Sequence, residues 1–133
     1  MKILVDTNIW SQALRRKADN ERSDILRDLI LFHQVVLIGP IRQELLSGVS
    51  NEDQFASLQS KLEAFDDFPV ITRDYITAAQ FYNRCRKHGI QGSQIDFLIC
   101  AVAVNNNMLI YTNDKDFDYF SEYLPISRYK EHQ

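Results

Sequence analysis

Short runs of consecutive apolar residues alternate along this chain with longer segments of helical periodicity. Ile3-Leu4-Val5 comes almost at the start, Val35-Val36-Leu37-Ile38 follows, and Met108-Leu109-Ile110-Tyr111 comes late. Apolar residues on successive positions, bounded by polar ones, suit strands buried on both faces. Between them the spacing predicts helices from Ile9 to about Leu14, Ser23 to His33, Ile41 to about Ser47, Asn51 to Phe65, the Thr72 region to about His88, and Ser93 to Asn105-Asn106-Asn107. Strand–helix alternation of this kind calls for a mostly parallel sheet with helices on both faces, a three-layer α/β/α fold.

Weaker signals fill in the rest. Phe68-Pro69-Val70-Ile71 reads as a short strand that Pro69 confines to an edge or a strand start. Leu124-Pro125-Ile126 offers a further edge strand, and Thr72 suits the cap of the helix it opens. In that helix Ile76, Ala79, Phe81 and Tyr82 form the apolar side. Trp10 and Phe81 read as core or interface residues, and Cys85 and Cys100, lacking metal or CxxC spacing, as small buried hydrophobes.

With 133 residues, no linker and no repeat, the chain is expected to form a single domain over 1–133. Only three apolar residues precede Asp6, which is no signal-peptide layout, and no run approaches the roughly 18 apolar residues of a membrane helix. A cytoplasmic protein without membrane contact is the expectation.

The carboxylates carry the functional signal. Asp6 arrives where the first strand leaves the sheet, the edge at which open α/β folds bind ligands. Glu44 lies about one turn into the helix after the second strand, and Asp96 in the first turn of the most apolar helix. Asp114 and Asp116 follow the last strong strand. In right-handed βα units, helix N-termini and strand carboxyl ends share one edge of the sheet, so all five can converge on one rim. Clustered carboxylates repel and raise each other's pKa, and a fold accepts them when a cation sits among them. Oxygen-only ligands suit Mg²⁺ or Mn²⁺. Two such ions roughly 3.5–4 Å apart would suit in-line displacement at phosphorus.

Each acid also has a local explanation. Asp6, Thr7 or Asn8 can cap the first helix, Ser93-Gln94-Ile95-Asp96 matches a capping box, and Asp114 and Asp116 suit a helix start. Glu44 can be an exposed helix residue. The five carboxylates carry −5 against a net charge of −3, so the rest of the chain is net +2 and poses no barrier to a polyanion.

Asp6-Thr7-Asn8 after an N-terminal strand, an isolated Glu44, Asp96 opening an apolar helix, and Thr112-Asn113-Asp114-Lys115-Asp116-Phe117 together resemble the PIN-domain ribonucleases. The small size points to VapC-type toxins of prokaryotic toxin–antitoxin pairs. The resemblance runs through nearly the whole chain. It implies an endoribonuclease using one or two Mg²⁺ or Mn²⁺ ions, acting on tRNA or another structured RNA. It also implies a homodimer and a cognate antitoxin that wraps the toxin and occupies its acidic pocket. Carried over by position, Asp6 and Asp96 are metal ligands, with Glu44 and Asp114 completing the site. Either Asp114 or Asp116 can be the fourth carboxylate, and Asp114 is nearer the strand end. Asn8 and Thr112 are implied as hydrogen-bond partners that orient carboxylates.

Arg15-Arg16-Lys17 and, ahead of the loop to Asp96, Arg84, Arg86, Lys87 and His88 are candidate RNA contacts, Arg86 and Lys87 among them. Basic residues near helix C-termini are also favoured by the helix dipole. Two other functional classes fit parts of the pattern. An aspartate-based phosphohydrolase or phosphotransfer domain also wants an Asp at a first strand's end, but Asn8 stands where a second Asp is expected. A non-catalytic PIN-like interaction module would have lost acidic positions, and all four are present.

Overall fold

The computed structural model describes residues 1–14, 21–32 and 34–130. Three parallel strands, β1 (Ile3–Val5), β2 (Val35–Val36) and β3 (Leu109–Tyr111), form a sheet in the order β2-β1-β3. Ile3 and Leu4 pair with Val35 and Val36 on one side, and Ile3, Leu4 and Val5 with Leu109, Ile110 and Tyr111 on the other. The first strand is therefore central. Its three residues are buried, as consecutive apolar positions require when helices cover both faces of a sheet.

The helices are α1 (Thr7–Ala13), α2 (Glu21–Leu31), α3 (Gly39–Leu46), α4 (Glu52–Leu62), α5 (Thr72–Lys87), α6 (Gln94–Asn105) and α7 (Asp116–Phe120). α1 packs with α2 and α3, α3 with α4, and α5 runs along α6. Every residue of α6 from Phe97 to Ala103 is buried, so this helix is apolar all round and sits inside the molecule. Burying Phe97, Ile99 or Val102 each contributes roughly 1.5–3 kcal/mol. Gly92 lets the turn before α6 come close: a Cβ there would lie 2.5 Å from the Phe120 ring.

Four details depart from the sequence expectations. Phe68–Ile71 is not a strand. Asp67 bridges Leu37 and the Phe68 N–H donates to the Leu37 carbonyl, but Pro69 has no N–H with which to extend the ladder. Instead Arg42 fixes the preceding turn, donating to the Asp67 carboxylate and to the carbonyls of Leu62 and Phe65. At the other edge, pairing with Ile110 comes from Ser127 and Tyr129 rather than from Leu124–Ile126. Leu124 is buried in the core, and Pro125 again cannot donate.

The third departure is the α5 cap. Helical geometry begins at Thr72, whose hydroxyl does not cap; Asp74 reaches back and accepts the Ile71 N–H at 3.0 Å. The fourth is the face that α5 buries. Ile76 and Ala79 are exposed, while Asp74, Phe81 and Cys85 point inward. Asp74 is tolerated there because the Asn105 amide donates to its second oxygen at 2.9 Å. The remaining elements match the sequence reading to within a few residues at their ends. Cys85 and Cys100 are both free and buried, and Trp10 and Phe81 lie in the core. Among the described residues no helix is long and apolar enough to cross a membrane.

Candidate active site

The central strand delivers Asp6 to the carboxyl edge of the sheet, and three other elements bring acids to the same place. A cleft of about 390 Å³ is lined by Asp6, Thr7, Asn8, Ser11, Gln12, Glu44, Asp96 and Asp114. Asp6 caps α1 by position, Glu44 lies on α3, Asp96 in the first turn of α6, and Asp114 just past β3. Asp116 does not line the cleft. It is exposed, yet its carboxylate can approach those of Asp96 and Asp114 closely, with one oxygen of each lying within 4.8 Å of the others.

Asp6 is nearly fully buried and both its oxygens are held. The Thr7 N–H donates to Oδ1 at 2.7 Å, and the Thr112 hydroxyl donates to Oδ2 at 2.8 Å. The same Thr112 oxygen accepts the Asp114 N–H at 3.0 Å, and Asp114 Oδ1 accepts the Asp116 N–H at 2.9 Å. The β3 exit is thereby tied to the β1 exit. Asp96 forms a reciprocal cap with Ser93, whose N–H donates to Oδ2 and whose Oγ accepts the Asp96 N–H, both at 3.1 Å. Capping uses one oxygen of Asp96 and leaves the other free, so the capping role and a role in the cleft are compatible.

Burial is the main electrostatic fact. It pushes the Asp6 pKa up to about 6, against the lowering effect of the Thr112 and Thr7 bonds, with Asp96 and Asp114 adding repulsion. Asp96 is raised as well, first by burial and then, against its Ser93 bonds, by Asp114 and Asp116. Among the described residues no basic side chain pairs with Asp6, Glu44, Asp96 or Asp114.

Asn8 lines the cleft with its Oδ1 buried and without a partner, as is the Thr7 hydroxyl. Ser11 and Gln12 also line it. The sequence offered Thr7 only as a helix cap and a motif member and gave no role to Ser11 or Gln12, although 8, 11 and 12 share one helical face. Arg86 and Lys87 are exposed at the end of α5 and do not line the cleft. Arg15, Arg16 and Lys17 lie outside the described residues.

A sequence model of the PIN domain matches residues 3–123. The chain belongs to the PIN domain family. Members of that family are nucleases, and the acidic cleft occupies the sheet edge where the strand exits converge. Solved PIN-like structures share the fold over nearly the whole chain. FitAcB from Neisseria gonorrhoeae is 24% identical with a TM-score of 0.79, covering 98% of this chain and 99% of that one. VapBC2 from Rickettsia felis, bound to a DNA fragment from its promoter, is 18% identical with a TM-score of 0.78, covering 98% and 100%. VapBC-1 from nontypeable Haemophilus influenzae is 16% identical with a TM-score of 0.74, covering both chains fully.

Proposed function

We propose that this PIN domain is a metal-dependent endoribonuclease, the VapC-type toxin of a toxin–antitoxin pair, cutting phosphodiester bonds of tRNA or another structured RNA. One observation carries the reading: four carboxylates from four separate elements line a single cleft with no basic partner among the described residues. An all-oxygen set whose charge is uncompensated, with burial disfavouring ionisation of Asp6 and Asp96, fits a hard divalent cation. Asp6, Glu44, Asp96 and Asp114 would hold one or two Mg²⁺ or Mn²⁺ ions, with Asp116 at the margin. When bound, the metal supplies charge for the scissile phosphate and an activated water.

The chain's own residues do the positioning. Thr112 and the Thr7 N–H fix both oxygens of Asp6, and Ser93 fixes one oxygen of Asp96. Thr112 and the Asp116 N–H together set Asp114. Glu44 has no hydrogen-bond partner among the described residues and is exposed, so its side chain is free to adjust to ligand and substrate. Asn8 presents an unsatisfied amide oxygen beside them.

The reading extends to partners. The VapBC neighbours were crystallised as pairs, and a second cleft of about 580 Å³ beside the acidic one, sharing Ser11 and lined by Leu14, Leu45, Val49 and Leu58, would take apolar residues of an antitoxin. A second copy of the chain would cover exposed Ile71, Tyr75 and Ile76. A cytoplasmic setting agrees with the two unpaired, buried cysteines. Cleavage of RNA by the purified chain with Mn²⁺, absent with EDTA, tests the catalytic claim, and sedimentation velocity tests the dimer.

A further inference from the structure

The last turn of α5 carries Arg84, Arg86, Lys87 and then His88, all exposed. None of the three cations has a carboxylate partner among the described residues. The helix dipole accounts for basic residues at this end, but not for the rings placed beside them. His88 lies flat on Tyr123, with ring centroids 3.9 Å apart and planes 10° from parallel. The Arg84 guanidinium sits 5.5 Å over Phe81 and donates to the Tyr123 carbonyl, and Arg86 sits 5.7 Å over Tyr82. Contacts lead from here to the acidic cleft. Tyr82 packs edge-on to Phe97 at 5.6 Å, and Phe97 follows Asp96 in the chain.

We propose that the end of α5 and the turn after α7 form a docking ledge for single-stranded RNA, in which an unpaired base stacks on the His88–Tyr123 pair and flanking phosphates meet Arg86 and Lys87. The inference rests on the ribonuclease reading and locates its substrate. An acidic cleft repels a polyanion, so affinity has to come from cations outside it. The exposed His88 ring, stacked on half-buried Tyr123 and set beside cations that have no carboxylate partner among the described residues, fits single strands, whose bases offer open π-faces, whereas a duplex hides them.

The test is binding of a short fluorescein-labelled single-stranded oligoribonucleotide, by anisotropy over a range of salt. The background is Asp96→Asn with Mn²⁺ present, so that the RNA survives. His88→Ala weakens binding about tenfold, as expected for loss of one stacking platform. Lys87→Ala weakens binding and lowers the slope of log K against log salt by about 0.7. Tyr123→Phe, which keeps the ring, binds like the parent. Both truncations are on exposed side chains, and a thermal melt confirms the fold. Unchanged affinity in His88→Ala together with an unchanged slope in Lys87→Ala overturns the ledge, as does an absence of RNA binding by the parent. Cleavage by the chain with native Asp96 separates the two claims. If it cuts RNA while the ledge variants bind normally, the ledge fails and the nuclease stands. If binding depends on the ledge and nothing is cut, the ledge stands and the nuclease fails.

Discussion

The Thr112 hydroxyl donates to Asp6 across a separation of 106 residues, at 2.8 Å, while accepting the Asp114 N–H. One side chain thus joins the exits of two neighbouring parallel strands and sets two carboxylates at once. Thr112→Val keeps the shape and deletes both bonds. It orphans a partly buried N–H at a cost of about 1–3 kcal/mol, and it removes one of the two hydrogen bonds that restrain the Asp6 pKa, leaving the Thr7 N–H. Thermal melts show a lower midpoint, and calorimetry shows Mn²⁺ binding weakened about 10–100-fold.

The Asp6 carboxyl also makes the metal-free protein pH-sensitive. Its pKa rises from 3.8 to about 6 on folding, so the folded chain holds a proton that the unfolded chain releases. The resulting penalty is absent below the unfolded value, grows as pH rises through about 6, and is complete above it. It is on the order of 3 kcal/mol. In EDTA, stability attributable to Asp6 falls between about pH 4 and 6. Asp6→Asn flattens that slope and raises the melting temperature near pH 7, while Mn²⁺ no longer stabilises the variant.

Asp114 and Asp116 differ in placement and so in consequence. Asp114 lines the cleft and is partly buried; Asp116 is exposed and uses its backbone N–H to orient Asp114. Asp116→Asn keeps that N–H and lowers the cleavage rate about tenfold or less. Asp114→Asn lowers it on the order of a hundredfold or more. Rates measured side by side at saturating Mn²⁺ decide between them.

Asp74 provides a contrast, being a buried acid with no place in the cleft. It accepts the Ile71 N–H and the Asn105 amide. Asp74→Ala removes the Ile71 N–H's side-chain acceptor and leaves the Asn105 amide only the Thr77 hydroxyl, at 3.3 Å, for a cost of roughly 1–3 kcal/mol. Its melting temperature falls, but activity per folded molecule at low temperature stays at the parent level. A selective loss of activity in this variant would connect α5 to catalysis.

What was legible in the sequence follows from how local each signal is. β1, β3 and α6 are written in consecutive apolar residues and in the Ser93–Asp96 spacing, so the rim and the positions of its acids could be read directly. The edge pairing of Asp67 and of Ser127–Tyr129 could not, because it is chosen by which N–H groups the neighbours of Pro69 and Pro125 leave available. The buried face of α5 was misassigned for a related reason. Apolar periodicity favours Ile76, whereas burial of Asp74 depends on an amide 31 residues away. The resemblance implied Thr112 as a hydrogen-bond partner of carboxylates, but that it pairs with Asp6 becomes visible only once β1 and β3 lie side by side.

Cleavage of total RNA by the purified chain, freed of any bound partner, tests the central claim most directly. Asp96→Asn is the control, because asparagine can still accept the Ser93 N–H and so preserves the start of α6 while removing the charge. The account predicts cuts with Mg²⁺ or Mn²⁺, none with EDTA, and none from the folded variant. Cleavage by Asp96→Asn at the parent rate, or no cleavage by the folded parent with metal, would contradict it.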